Sequence, residues 1–120
     1  MLAKANRLTR GAEYRHVSRR GVRGAGPHLV THIVLTGEER EPRFGFIVTK
    51  AVGNAVVRNT VRRRLKAICA EALPDVPKGA DVVIRALPSS SGAAFAELRS
   101  QVRRGLKRRG ALAARERETA

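Results

Sequence analysis

The order of extended and helical apolar patterns along this chain restricts its fold more than any other feature of the sequence. Two runs rich in β-branched residues, at positions 29–35 and 43–49, predict a pair of strands joined by a hydrophilic loop. A helical period of apolar residues then extends over residues 54–73, and a third apolar run at 81–86 predicts a buried strand. Helices that alternate with strands in this way indicate an α/β arrangement.

Weaker patterns at both ends complete the predicted fold. Residues 9–19 and 93–109 have helical character, and residues 21–25 predict a short edge strand. We therefore expect an α/β (α+β) two-layer sandwich, in which a four-stranded mixed sheet carries its helices on one face. The other face of the sheet should then be half exposed. A single domain of 120 residues is expected, with a basic arm at residues 1–8 and a disordered tail at residues 110–120.

The excess of positive charge indicates an anionic partner. Lysine and arginine number 25 against 10 acidic residues, which gives a formal net charge of +15. Such strong self-repulsion is typical of domains that bind polyanions. A membrane-binding helix would present Trp, Phe or Leu on its apolar face, but the chain has no Trp and its three Phe are scattered. The sequence therefore favours nucleic acid over a membrane as the partner.

Few residues indicate chemistry carried out by the protein itself. Cys69 is the single cysteine, so neither an internal disulfide nor a cysteine-rich zinc site can form. His16, His28 and His32 lack zinc-binding spacing, and no Ser/His/acid or Cys/His set is evident. We expect no catalytic residues, no metal held by the protein and no small-molecule substrate. The sequence has no apolar run near the ~20 residues of a membrane span and no signal peptide, so a reduced, cytoplasmic protein is expected.

The predicted helix at residues 54–73 concentrates cations on one side. Arg58, Arg62 and Lys66 are spaced by four residues, and Asn59 and Arg63 lie beside them, away from the apolar stripe. Arginine presents a planar fork that matches phosphate oxygens. A solvated helix face usually mixes charges through i, i+4 pairs, whereas no acidic residue occurs between positions 50 and 70. The pattern favours a phosphate-binding surface over a merely solvated face.

The same segment carries a family resemblance. Residues 52–66, VGNAVVRNTVRRRLK, resemble the RNR box of the bacterial ribonuclease P protein. Further matches lie around it in the family's order: RLTRGAEYRHVSRRG at residues 7–21, FGFIVTK at 44–50 and PKGADVVIRALP at 77–88. The resemblance extends over residues 6–109, which is nearly the whole chain.

The resemblance implies a protein subunit of ribonuclease P, which assists a catalytic RNA in the magnesium-dependent removal of the 5′ leader from precursor tRNA. The implied partners are ribonuclease P RNA and that leader, with Mg²⁺ bound mainly by the RNA. The implied fold is a ribosomal protein S5 domain 2-like sandwich with a left-handed βαβ crossover, the opposite hand to most crossovers. Contacts with the RNA subunit are implied for Lys50, Asn54, Arg58, Asn59, Arg62, Arg63 and Lys66.

The resemblance also implies a cleft between the first helix and the sheet that holds the single-stranded leader. Its positions in this chain are Tyr14 and Ser18 on the helix, and Leu29 and His32 on the strand. The family commonly has aromatic residues at the last three of these positions. Because base stacking on an aromatic side chain contributes about 1–3 kcal/mol per base, we expect leader binding here to depend more on charge.

One residue in the box and one just before it depart from the family pattern, and two other protein classes share part of this chain's character. Thr60 replaces the usual arginine of the box and Ala51 replaces a common lysine, with Arg63 and Arg64 able to compensate. A structural RNA-binding protein, such as a ribosomal component, shares the small size and high pI. A helix-turn-helix DNA-binding protein fits poorly, because strands flank the basic helix where a partner helix should stand. Only the box and its flanking matches separate ribonuclease P from a ribosomal component.

Overall fold

The computed structural model describes residues 2–108 of the chain. In chain order, the regular elements are α1 Gly11–Arg20, β1 Val22–Ala25, β2 Leu29–Leu35, β3 Arg43–Ile47, α2 Ala55–Ala72, β4 Ala80–Ala86 and α3 Phe95–Arg108. Short 3₁₀ turns occur at Lys4–Asn6, Leu73–Asp75 and Pro88–Gly92. The bounds of β2, β3, α2 and α3 agree with the sequence prediction to within two residues. The predicted disordered tail at residues 110–120 lies outside the described residues.

The strands form one four-stranded mixed sheet in the order β1-β2-β4-β3. β2 pairs antiparallel with both β1 and β4, whereas β3 pairs parallel with β4. A parallel pair needs a crossover connection, and α2 supplies it between β3 and β4. The predicted α+β fold with a four-stranded mixed sheet is therefore confirmed, while the left hand of the crossover stays a prediction.

The helices divide between the two faces of the sheet. Val82 and Ile84 of β4 pack in the large core with α2 and α3, whereas Val83 packs with Val17 of α1 in a second, smaller core. Successive side chains of a strand point to opposite faces, so α1 lies on the face opposite α2 and α3. The prediction of helices on one face holds for α2 and α3 but is wrong for α1. The reason is that β4 is apolar at consecutive positions, and both of its faces require cover.

Helices α2 and α3 begin with different side-chain caps. Asn54 Oδ1 accepts a hydrogen bond from the Val57 amide at 3.0 Å, as is usual for an N-cap. The segment Pro88–Gly92 forms a 3₁₀ turn before α3. A Glu97 carboxylate oxygen accepts a hydrogen bond from the Ala94 amide at 3.3 Å at the start of α3. Cys69 is completely buried in the large core.

The N-terminal arm docks against the outer edge of β3. The Asn6 side-chain amide donates to the Pro42 carbonyl at 3.0 Å, and the Leu8 amide donates to the Phe44 carbonyl at 2.9 Å. Arg7 forms a parallel bridge with Phe44, while Leu2, Asn6 and Leu8 are buried. The arm thus covers part of a strand edge that would otherwise expose unpaired backbone groups.

A buried carboxylate fixes the strand ends near the loop between β2 and β3. Asp81, which is 5% exposed, accepts paired hydrogen bonds at 2.9 and 3.0 Å from Arg40 and Arg43. Arg43 also donates to Glu13 of α1 at 2.7 Å. Burial alone would raise the pKa of Asp81, but the hydrogen bonds from Arg43 and Arg40 outweigh it and lower the pKa below its ordinary value.

Within residues 2–108, no helix has the length and apolar character to cross a membrane.

We predict that Asp81→Asn lowers the free energy of unfolding by about 2 kcal/mol at neutral pH, because charge-assisted hydrogen bonds of this kind contribute roughly 1.5–3 kcal/mol. The folded-state pKa of Asp81 lies below its unfolded value, so its contribution is present above about pH 4 and is lost as the pH falls through the folded-state pKa. Urea denaturation at a series of pH values measures both effects.

Glu39→Gln is the matched control, because Glu39 is an exposed acid in the same loop. It should unfold like the unmodified chain at every pH. Equal stability of Asp81→Asn and Glu39→Gln at neutral pH would show that the Asp81 pairs do not stabilise the fold.

Candidate nucleic-acid interface

The predicted cationic side of α2 is present, and none of its cations has an acidic partner among residues 2–108. We call the side chains of Arg58, Asn59, Arg62, Arg63 and Lys66 the basic face of α2. Arg62 donates to the Asn59 side-chain oxygen at 3.2 Å and to the Val48 carbonyl at 3.3 Å, contacts that hold its guanidinium in place without neutralising it. Within the described part of the chain, no carboxylate forms an ion pair with this face.

Most carboxylates of the described residues form ion pairs elsewhere. The ion pairs join Glu13 to Arg43, Glu38 to Arg40, Asp81 to both Arg40 and Arg43, Glu71 to Arg99, Asp75 to Arg103, and Glu97 to His28. None of these basic partners belongs to α2. The positive potential of the basic face of α2 is therefore not balanced from within residues 2–108.

Three further residues of the box, and Lys50 just before it, have distinct local surroundings. Asn54 uses its side-chain oxygen to cap α2, so this oxygen is already occupied. Lys50 is exposed in the turn that leads into the helix. The hydroxyl of Thr60, which stands where the family has arginine, donates to the Val56 carbonyl at 3.0 Å. Arg64 reaches the Ala93 carbonyl at 3.5 Å, on the side of α2 that meets the segment before α3.

A groove lies between the basic face of α2 and the N-terminal arm. Its volume is about 350 Å³, and it is lined by Lys4, Arg7, Leu8, Thr9, Tyr14, Phe44, Phe46, Arg62 and Lys66. The lining includes cations from two separate elements, aromatic rings and no acid. The sequence analysis assigned no role to Lys4 or Arg7, although the basic character of the arm was evident. The groove unites these two cations with Arg62 and Lys66.

Tyr14 lies over β3 because Gly45 leaves room for its ring. A Cβ atom added at Gly45 would approach the Tyr14 ring to 2.6 Å, which is closer than atoms can pack. The Tyr14 hydroxyl is 3.4 Å from the Leu8 carbonyl, so the ring also contacts the arm. Tyr14 therefore belongs to the wall of the groove as well as to α1.

The predicted leader cleft is only partly assembled. Ser18 and His32 are both partly exposed, and His32 lies on the sheet face that α1 covers in part. Leu29 does not share this face: it is 2% exposed and packs in the core with α2 and α3. The assignment of Leu29 to the cleft was wrong, because positions 29 and 32 of one strand differ by an odd number and point to opposite faces.

Two arginines on this face were missed by the sequence analysis. Arg23 of β1 lies directly opposite His32, and Arg85 of β4 lies opposite Val30, two residues along β2 from His32. Both are exposed. The sequence could have indicated Arg85, since it is a cation within a predominantly apolar run. In the structure it is the one exposed residue of an otherwise buried strand. Burial, together with the charges of Arg23 and Arg85, lowers the pKa of His32, so its imidazole is neutral at neutral pH.

The structure also brings together a serine, a histidine and a glutamate that the sequence did not indicate. Ser89 Oγ is 2.6 Å from His28 Nδ1, and His28 Nε2 is 3.3 Å from a Glu97 oxygen. The Ser89 hydroxyl donates to the Pro27 carbonyl at 3.1 Å, so its proton is not directed at the imidazole. This set ties a turn to α3 and does not activate Ser89 as a nucleophile.

A magnesium site built from protein side chains does not fit the described residues. Among residues 2–108, no group of three or more His, Cys, Asp or Glu side chains could hold a metal ion. The prediction that Mg²⁺ is bound mainly by RNA is not tested by this finding and stays a prediction.

The fold and its unpaired cations define a small basic α+β domain of the kind found in ribonucleoproteins. A family model described as Ribonuclease P matches residues 2–110. The chain is 46% identical over 102 residues to the ribonuclease P protein component of Clavibacter michiganensis, covering 85% of this chain and 90% of that protein. It is 45% identical over 114 residues to that of a Nocardioides species, covering 92% and 97% respectively.

This chain therefore belongs to the bacterial ribonuclease P protein family, whose members are subunits of an endoribonuclease that processes tRNA. Family membership decides against the ribosomal and helix-turn-helix alternatives. Solved structures share the fold. The RNase P protein of Staphylococcus aureus matches with a TM-score of 0.81 at 21% identity, covering 91% of this chain and 99% of that one. That of Thermotoga maritima matches with a TM-score of 0.75 at 24% identity, covering 85% and 96%.

We predict that Gly45→Ala displaces the Tyr14 ring while the fold persists, because the added methyl group meets the far end of a side chain that can rotate. The stability cost should not exceed the roughly 1–3 kcal/mol of an overpacked site. Tyr14 is the only tyrosine and the chain has no Trp, so intrinsic fluorescence reports this ring alone. Acrylamide should quench the variant more strongly.

Gly92→Ala is the control, because a Cβ atom at Gly92 meets nothing within 4 Å. Its fluorescence and quenching should equal those of the unmodified chain. Unchanged quenching in Gly45→Ala would mean that the Tyr14 ring does not rest against β3.

Proposed function

We propose that this subunit binds ribonuclease P RNA through the basic face of α2 and the cations of the groove, and binds the 5′ leader of precursor tRNA along the sheet face beside α1. It thereby assists the magnesium-dependent removal of the leader, which the RNA carries out. The observation that carries the proposal is the absence of any ion-pair partner for the basic face of α2 among the described residues.

The rigidity of α2 supports its role as a phosphate-binding surface. Val61, Leu65 and Ile68 anchor its apolar side and are at most 1% exposed. The cations therefore lie at fixed helical spacing before RNA arrives, and little ordering entropy is lost by the backbone on binding. Each phosphate they neutralise releases condensed counterions, which makes the affinity strongly dependent on salt.

The groove extends this surface beyond α2. Lys4 and Arg7 come from an arm that is fixed by its own hydrogen bonds to Pro42 and Phe44. Together with Arg62 and Lys66 they surround a cavity that also contains the rings of Tyr14 and Phe46. Cations beside aromatic rings are the combination that single-stranded nucleic acid uses for phosphate binding and base stacking.

The leader surface is poorer in aromatic side chains than in charge. Tyr14, Ser18 and His32 are the predicted cleft residues that remain on the α1 side of the sheet, and only Tyr14 has an aromatic six-membered ring for stacking. Arg23 and Arg85 add two cations to the same face. The proposed leader contacts are therefore mainly with phosphates, and their chemistry predicts modest dependence on leader sequence.

The protein contributes binding and charge rather than chemistry in this proposal. Its cations lower the repulsion between the RNA subunit and the substrate, and Mg²⁺ is bound mainly by the RNA. The proposed contacts between protein cations and RNA phosphates would replace some of the metal ions that neutralise those phosphates. The benefit of the subunit should therefore be largest when Mg²⁺ is scarce.

Reconstitution tests the proposal. The subunit, added to a bacterial ribonuclease P RNA at low magnesium, should increase the rate of precursor tRNA cleavage at least tenfold, and the stimulation should shrink as magnesium rises. Comparing precursors with a long leader and with a single-nucleotide leader isolates the leader contact. Equal stimulation of both precursors would refute the leader role, and no stimulation of either would refute the whole proposal.

A double substitution tests the basic face of α2. With about five phosphate contacts, the logarithm of the RNA affinity should fall with the logarithm of salt with a slope of roughly −3.5 to −4.5. Arg62→Ala combined with Arg63→Ala should weaken RNA binding and make this slope shallower by about 1.4–1.8. The measurement is filter binding to the RNA subunit over a range of salt concentrations.

Arg99→Ala combined with Arg104→Ala is the charge-matched control, because both residues lie on α3 outside the proposed surface. It should change the slope much less than the α2 double variant. Circular dichroism establishes that both proteins fold. Equal losses in the two double variants would show that net charge, and not the basic face of α2, sets the affinity.

A further inference from the structure

Three side chains lie next to one another on the sheet face beside α1. Arg23 and His32 are directly opposed across β1 and β2, which places their Cβ atoms about 4.5–5.5 Å apart. Arg85 pairs with Val30 and is therefore a diagonal neighbour of His32, within reach for a long side chain. We call Arg23, His32 and Arg85 the sheet triad.

The members of the sheet triad lack partners in the described part of the chain. Arg23 and Arg85 are exposed and form no ion pair with residues 2–108. The Nδ1 atom of His32 is buried and has no hydrogen-bond partner among these residues. The two exposed cations repel each other and disfavour a charged imidazole beside them. Because Nδ1 is buried while the His32 side chain is partly exposed, an anion bound between the arginines would meet the exposed side of the ring. It would relieve the repulsion between the two cations and accept a hydrogen bond from the imidazole there.

We propose that the sheet triad is a phosphate subsite for single-stranded RNA, in which His32 takes up a proton as the phosphate binds. The proposal rests on the proposed leader surface and adds to it the residues that hold one phosphate and a coupling between binding and pH.

The direction of the coupling follows from the charges around His32. In the free protein, burial and the two arginines keep the imidazole neutral by lowering its pKa. A phosphate between the arginines offsets their charge and accepts a hydrogen bond from the imidazolium, which raises the pKa of His32 in the complex. Binding therefore takes up a proton at pH values between the free and bound pKa, and affinity increases as pH falls through that interval.

The other charged groups near His32 do not reverse this direction. Asp81 lies on the same face of β4 but is bound by Arg40 and Arg43. Glu13 of α1 is bound by Arg43. The remaining titratable side chains of α1, apart from Tyr14, are basic: Arg15, His16, Arg19 and Arg20. No further charged residue occurs on β2.

The test is a binding titration of the full chain with a short oligouridylate that lacks a terminal phosphate. Uracil does not titrate between about pH 5 and pH 8, whereas histidine does. Calorimetry in buffers of different ionisation enthalpy measures the number of protons taken up. The unmodified chain should take up a fraction of a proton near pH 6.5, and its affinity should rise severalfold towards lower pH, with an upper limit of tenfold per pH unit for one proton.

His32→Gln should remove the proton uptake and flatten the pH dependence, and His16→Gln, the matched control on α1, should retain both. Arg23→Gln and Arg85→Gln should each make the salt slope shallower, and combined by about 0.7, the value for one phosphate of a single strand. In NMR titrations of the free protein, each arginine substitution should also raise the pKa of His32, which a purely structural role of the arginines would not do.

The outcomes separate this proposal from the proposed function. Binding whose proton uptake is unchanged in His32→Gln, or whose salt slope is unchanged in both arginine variants, overturns the phosphate subsite and leaves the leader surface standing. Failure of the unmodified chain to bind the oligouridylate at any pH, alone or assembled with the RNA subunit, overturns the leader surface and the subsite together.

Discussion

Strand β4 is the element on which the rest of the structure depends. It is apolar on both faces, so it needs α2 and α3 on one side and α1 on the other, and it pairs with β2 and β3 along both edges. Its two charged residues lie near opposite ends. Asp81 is neutralised by two arginines, which fixes the strand ends, whereas Arg85 faces solvent and forms no ion pair with residues 2–108. One strand thus carries a charge used for stability and a charge that is not neutralised from within the described domain.

The same separation holds for the whole described domain. Among the described residues, carboxylates pair with arginines of β3, of the preceding loop and of α3, and with His28, but with none of the cations of α2. Apart from the buried pairs of Asp81, these ion pairs are partly or fully exposed and contribute little stability individually. Their position matters more than their strength, because each pair neutralises a cation away from the basic face of α2. The cations that remain without an ion pair among residues 2–108 include the basic face of α2, and their mutual repulsion would be relieved by a bound polyanion.

Local patterns in the sequence predicted what depends on local structure. The period of α2, its Asn54 cap and the cations on its exposed side all follow from helical geometry, and β2 follows from its β-branched residues. Features that depend on strand register could not be predicted in this way. Whether Leu29 or Val30 shares a face with His32, and which helix covers that face, is decided by pairing partners far away in sequence. The meeting of Lys4 and Arg7 with α2 depends on the same long-range pairing.

The docking of the N-terminal arm has a consequence for the order of folding. The arm can pair only with β3, and β3 is held in the sheet by β4, which follows it across the whole of α2. Loop closure of this length is slow compared with helix formation. During synthesis, the arm therefore leaves the ribosome before α2 and β4 and yet is among the last elements to find its place. Until β4 has emerged, the arm has no completed sheet edge on which to dock, although the α2 segment can already form a helix.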